Sequence, residues 1–178
     1  MKEVMLVNLL LMTTMIVKIK KLNENAVIPF KKGDNIGNAC YDVVPVSYEY
    51  DKVRDRFIYH LGFATEFTPD WEAEVRPRST NTKKEAYIPN APATIDSNYR
   101  GEWLIMFKLR TPFEQLFPEG DKELNYLEME NELAPYKIDG TPIAQVKFNR
   151  VEHTDWIEVD ELSDTERGAD GGLIRKGK

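Results

Sequence analysis

Short stretches of two-residue alternation, each closed by a turn-forming cluster, recur along this chain and limit what it can fold into. Residues 15–20 alternate apolar and basic side chains, and residues 57–67 alternate with aromatic and β-branched positions. Residues 71–75 alternate again before Pro77, while 103–109 is an almost unbroken apolar run that predicts a strand buried on both faces. Residues 143–148 and 156–159 complete the set. Between them stand Lys32-Gly33-Asp34-Asn35, Thr68-Pro69-Asp70, Asn90-Ala91-Pro92 and Asp139-Gly140-Thr141-Pro142, all composed of residues that favour turns. Many short strands with frequent turns predict an all-β barrel or sandwich.

Three segments depart from this pattern. Residues 112–135 space Phe113, Leu116, Phe117, Leu124, Leu127 and Leu133 among glutamates, which is helical spacing. We read them as a small helical insertion on the β domain, whose acidic face is either simply solvated or a site for a protein partner. Residues 161–178 carry glycines at 168, 171, 172 and 177 without apolar periodicity, the composition of a flexible arm. Residues 1–14 are rich in Leu, Met and Val, but Asn8, Thr13 and Thr14 interrupt them and no small-residue cleavage pattern follows. They read as an N-terminal extension rather than an export signal, and the stretch is too short to span a bilayer. The β domain is then expected over 15–160.

The formal net charge of −6 argues against a general surface for polymeric nucleic acid, since neutralising phosphates takes clustered lysine and arginine. It leaves a nucleotide pocket open. The single cysteine, Cys40, excludes an intrachain disulfide framework and a cysteine-rich metal site, and suits a cytoplasmic protein.

The residues with chemical potential fall in five places. These are Asn38-Ala39-Cys40-Tyr41-Asp42-Val43, Val75-Arg76-Pro77-Arg78-Ser79-Thr80, the long run from Asn90 to Glu102, Pro142-Ile143-Ala144-Gln145-Val146, and Glu166-Arg167-Gly168-Ala169-Asp170-Gly171-Gly172. Arg78, Ser79, Arg167 and Gln145 are phosphate-compatible donors, and glycine-rich backbone can approach phosphate oxygens closely. Asp42 and Asp96 are candidate acids, bases or metal partners. Singly, each of these is more often a turn or surface residue than a functional one. His60 and His153 lack metal-ligand spacing and read as surface or strand residues.

Taken in order, the five places resemble the trimeric dUTPase (deoxyuridine triphosphatase) family, from about Met15 to the C-terminus apart from the 112–135 insertion. The third is the most specific. The family's Asn-Ala-Pro-Gly-Thr-Ile-Asp-Ser-Asp-Tyr-Arg-Gly-Glu appears here with changes only at Ala93 and Asn98. The resemblance implies a distorted, jelly-roll-like β-barrel, a homotrimer with sites built by three subunits, and Mg²⁺-assisted hydrolysis of dUTP to dUMP and pyrophosphate. Such an enzyme limits uracil in DNA. It implies that Asp96 is the general base and that Asp42 reaches magnesium through coordinated waters. Arg78, Ser79, Thr80 and Gln145 would contact phosphates, and Arg167 the γ-phosphate. A β-hairpin carrying Asn90, Thr94 and Ile95 would take in uracil and sugar, with the Tyr99 ring against the deoxyribose.

The chain also departs from the family. Cys40 stands where glycine is usual, Ala93 replaces a hairpin glycine and would be strained at positive φ, and Pro142 stands where arginine is common. Leu173 occupies the place of the arm's stacking phenylalanine, a loss of about 0.5–1.5 kcal/mol of specific attraction. Two other readings compete: a dUTP-binding regulator acting through the insertion, and a dCTP deaminase of the same fold.

Overall fold

The structure is a computed structural model that describes residues 15–33, 37–116 and 132–165. The predicted extension at 1–14, most of the insertion (117–131) and the arm from 166 onward, with Arg167 and Leu173, lie outside the described residues, as do 34–36 in the first turn cluster. Among the described residues ten strands form: β1 Lys18–Lys21, β2 Tyr41–Val43, β3 Ser47–Asp51, β4 Arg56–His60, β5 Phe63–Glu66, β6 Trp71–Arg76, β7 Ala86–Tyr87, β8 Ala93–Ile95, β9 Leu104–Leu109 and β10 Ala144–Arg150. A 3₁₀ helix, Ser79–Lys83, and one turn of α-helix, α1 Phe113–Leu116, join them. The expectation of an all-β fold is borne out, and no described helix is long and apolar enough to cross a membrane.

All strand pairings are antiparallel, in the orders β1-β5, β2-β10-β6-β8 and β3-β4-β9-β7. The inward faces of both four-stranded sheets supply one core. Phe57 and Tyr59 of β4 and Ile105 and Phe107 of β9 meet Val43, Ala73, Val75, Ala144 and Val146 of the other sheet. Trp103 is buried against Phe63, and its indole N–H donates to Thr65 Oγ1 at 3.1 Å, so burial leaves no polar atom of the ring unpaired.

Three strand expectations are corrected. The alternation over 57–67 is two strands, because Gly62 adopts φ +71 between them. Its carbonyl accepts the N–H groups of Leu22 and Asn23 at 2.7 and 3.1 Å, and its own N–H donates to Glu102 Oε1 at 2.8 Å. The run at 103–109 is not buried on both faces: Leu104 is exposed and Met106 half-buried, while Ile105 and Phe107 are buried. This strand lies within a sheet with one core face, so its apolar content exceeds what burial requires. Residues 156–159 form no strand. Trp156 and Ile157 are 93% and 82% exposed, since strand propensity expresses itself only where a partner edge is offered.

Candidate active site

The second sheet gathers the motifs. In the order β2-β10-β6-β8 its strands carry the first, fourth, second and third motifs, which are widely separated in sequence. Asp42 pairs with Gln145, and Gln145 with Arg76 on its other side, so three motifs contribute one cross-strand row. Cross-strand partners leave the sheet on the same face. That face continues through Lys147, Glu74 and Thr94 to Asn149 and Glu72, and it is polar throughout. The opposite face carries Val43, Ala144, Val146, Val75 and Ala73 into the core.

At the Asp42 end the polar groups interlock. Arg78 Nε stands 2.8 Å from Asp42 Oδ1, and Nη2 donates to Oδ2 at 3.2 Å, a two-point grip between half-buried side chains. The remaining nitrogen, Nη1, donates to the Pro142 carbonyl at 2.8 Å and to Thr80 Oγ1 at 3.4 Å. Gln145 Nε2 donates to the Pro77 carbonyl at 2.9 Å. Ser79 and Thr80 sit exposed at the start of the 3₁₀ helix. A cavity of about 300 Å³, lined by Lys32, Asn38, Ala39, Cys40, Asp42 and Gln145, opens beside them. On the same face Arg76 bonds Glu74, and that hydrogen bond, opposed by partial desolvation, holds the Glu74 carboxyl below its usual range.

The third motif lies at the far edge of the sheet. The expected hairpin is instead a single short strand, β8, laddered to β6 through Ile95–Ala73, Thr94–Glu74 and Ala93–Val75. A turn follows, closed by Tyr99 N–H to the Asp96 carbonyl at 3.0 Å. Among the described ladders β8 pairs with β6 alone, and segment 96–103 makes no return ladder with it. Ala93 is an ordinary extended strand residue without the anticipated strain; among the described non-glycine residues positive φ occurs at Asp55, so Cys40 fits its place without a left-handed turn. Tyr99 donates its hydroxyl to the Glu102 carbonyl at 3.1 Å. Its ring lies so close to Gly101 that a Cβ there would meet the phenol oxygen at 2.3 Å. Asn90, Thr94 and Asp96 are exposed, and Ile95 packs on the core margin.

Within one chain, therefore, Asp42, Arg78, Gln145, Ser79 and Thr80 come together, and Asp96 stands apart. It lies three strands and four residues along the sheet from Asp42. At the usual strand spacing and rise this is about 20 Å. Two residues of this region escaped the sequence reading. Arg76 joins the Asp42 row only through strand register, and Asn81 is a buried side chain in a polar stretch, a burial that no local pattern signals. His60 bonds Glu102 through Nδ1 at 2.9 Å, in keeping with a structural role.

The chain matches no family model. Curated relatives are clear: it is 34% identical over 162 residues to the deoxyuridine 5′-triphosphate nucleotidohydrolase of Nautilia profundicola, covering 90% of this chain and 98% of the relative. The enzyme of the same name from Helicobacter hepaticus is 31% identical over 172 residues, covering 94% and 95%. Among solved structures, the dUTPase of Staphylococcus bacteriophage 80alpha with dUpNHpp superposes with a TM-score of 0.63 at 20% identity, over 88% of this chain and 95% of that one. A dUTPase mutant from phage phi11 of S. aureus, described with a structural Mg(II) ion, gives 0.60 at 17% identity, over 83% and 98%. The structural likeness establishes the shared fold, and the two curated relatives establish kinship: the chain belongs to the family of deoxyuridine 5′-triphosphate nucleotidohydrolases, the dUTPases.

Proposed function

We propose that this chain hydrolyses dUTP to dUMP and pyrophosphate. The observation that carries the reading is the single polar sheet face on which the first, fourth and second motifs meet at Asp42, Gln145 and Arg78 beside an open cavity. Ser79, Thr80 and Gln145 would take the phosphates, and Arg78 would add the one guanidinium N–H that its present partners leave over. Asn90, Thr94 and Ile95 would receive the base and sugar, and Arg167 the γ-phosphate. The Tyr99 ring, tethered by its hydroxyl and close to Gly101, would lie against the deoxyribose. Asp96 would orient a water and accept its proton as that water attacks the α-phosphorus in line.

The donor set fits magnesium. Asp42 offers one half-buried carboxylate, and among the described residues no three His, Cys, Asp or Glu side chains converge to form a protein cage. An ion that keeps its waters and takes phosphate oxygens suits such a place, with Asp42 holding it through those waters. Bound there, it supplies charge neutralisation to the triphosphate.

A homotrimer belongs to the same reading. The separation of Asp96 from the Asp42 row supports a site in which one subunit's β8 edge faces another's phosphate end. Trp156, Ile157 and Leu162, each more than four-fifths exposed, support burial in an assembly. Cys40 as a free thiol is in keeping with a cytoplasmic setting.

The test incubates the protein with Mg²⁺ and dUTP, dCTP, dTTP or UTP in parallel, and quantifies monophosphate and pyrophosphate. Selective dUMP formation that disappears in Asp96→Asn is the expected result. Deamination of dCTP, or dUTP binding without turnover, would overturn it.

A further inference from the structure

Two polar side chains are buried among the described residues, Thr65 and Asn81. Thr65 answers the Trp103 indole. Asn81, 7% exposed, answers the active-site backbone at both ends of its amide. Its Oδ1 accepts the Arg78 N–H at 2.9 Å, and its Nδ2 donates to the Ile143 carbonyl at 3.1 Å. Ile143 in turn donates its N–H to the Val43 carbonyl at 3.0 Å. Val43 follows Asp42, and Asp42 is gripped by Arg78. The bonds thus close a ring: Asp42 and Val43, Ile143, Asn81, Arg78, and back to the Asp42 carboxylate. The first, fourth and second motifs each contribute one arc, and Asn81 is the side chain that joins two of them.

We propose that Asn81 is a positioning residue of the phosphate–metal end of the site, a role that rests on the dUTPase reading above. It fixes the backbone from which Arg78 reaches Asp42 and the backbone that precedes Gln145. The requirement is for a donor and an acceptor on one short, planar group. Leucine has the shape and neither function; aspartate keeps the acceptor and turns a second oxygen toward the Ile143 carbonyl. Removing either bond leaves a main-chain group unpaired, the buried Ile143 carbonyl or the part-buried Arg78 N–H, and the chain relieves that by shifting Arg78 or residues 142–143. Either shift loosens the carboxylate that would hold magnesium through its waters.

The test compares wild type, N81L, N81D and the reference variant R78K. Three quantities are read: thermal unfolding, the exchange rate of the Arg78 Nε–H resonance in ¹⁵N spectra, and the Mg²⁺ concentration giving half-maximal calorimetric binding of a non-hydrolysable dUTP analogue. The Arg78 resonance is identified by its loss in R78K. In N81L we expect faster Nε–H exchange and an about 10-fold rise in half-saturating Mg²⁺, in the range that loss of a ligand-orienting partner causes. In N81D the same changes occur with smaller amplitude. If N81L does not fold, N81D carries the measurement. A folded variant with a lowered melting temperature but an unchanged Arg78 resonance and unchanged Mg²⁺ dependence would overturn the proposal, since that is the signature of a residue serving the fold alone. A wild-type protein inert toward dUTP would instead overturn the functional reading, and the arginine resonance would still report whether Asn81 holds Arg78.

Discussion

Arg78 and Asp42, from motifs 36 positions apart, meet through two parallel contacts, Nε to Oδ1 at 2.8 Å and Nη2 to Oδ2 at 3.2 Å. The arginine is thus chiefly a holder of the aspartate, with the Pro142 carbonyl as its brace. Lysine keeps the charge and loses the fork. Arg78→Lys should lower kcat/KM for dUTP by about 10-fold to 100-fold, the usual cost of a lost ligand-orienting partner. Steady-state kinetics beside a thermal melt decide it: wild-type kinetics in the variant would mean the fork is dispensable.

Asp96 stands exposed after β8, with no described ion pair to occupy it. Replacing its carboxylate by the isosteric amide removes a proton acceptor and little volume. Asp96→Asn should reduce kcat by about 10²–10⁴-fold, the typical contribution of a general base, while affinity for a non-hydrolysable analogue stays the same. An unchanged kcat would move the base elsewhere.

Gly62 combines a left-handed φ of +71 with crowding, since a Cβ would lie 3.0 Å from both Asn23 Cβ and Val46 Cγ2. These neighbours belong to backbone-bound loop and core residues that cannot swing away. Gly62→Ala should therefore destabilise by about 1–3 kcal/mol, read by urea unfolding. A variant as stable as wild type would show that the β4–β5 corner yields without cost.

Tyr59 is buried, and its hydroxyl both donates to the Tyr136 carbonyl and accepts the Tyr136 N–H, each at 2.9 Å. Burial pushes its phenol far above the ordinary value. In the unfolded chain tyrosine ionises near pH 10, whereas in the fold it stays protonated, so this contribution to stability is complete below about pH 10 and is lost as pH rises beyond it. Tyr59→Phe should cost about 1–3 kcal/mol for each Tyr136 group left unpaired. It should also flatten the alkaline decline of stability, by up to about 1.4 kcal/mol per pH unit. Parallel declines in both proteins would contradict the burial argument.

How much of this was legible beforehand depended on whether the information was local. The alternation at β6 and β10 was plain because each strand has one wet and one dry face. The corner at Gly62 was hidden, as apolar residues flank it on both sides, Leu61 before and Phe63 and Ala64 after. Residues 156–159 carry the right residue types for a strand, but pairing is a property of the neighbour and not of the segment. In the site, motif order pointed to Asp42, Arg78 and Gln145, because chemistry restricts which residue types can serve. It could not reveal that Arg78 is largely taken up by Asp42, or that Asn81 is buried, since both depend on contacts across 36 and 62 positions.

The middle place of β10 bears on how the protein is made. β10 is the last described strand of the chain, yet it lies between β2 and β6 and is the sole hydrogen-bonded link between them. A nascent chain that has emerged only to residue 143 can pair β6 with β8, and so the second motif with the third, but has no strand to set the first motif beside them. Joining Asp42 to Gln145 then closes a long loop, the kind of non-local pairing that sets a slow folding rate. A ribosome must therefore deliver almost the whole β domain before Asp42, Gln145 and Arg76 can stand in one row.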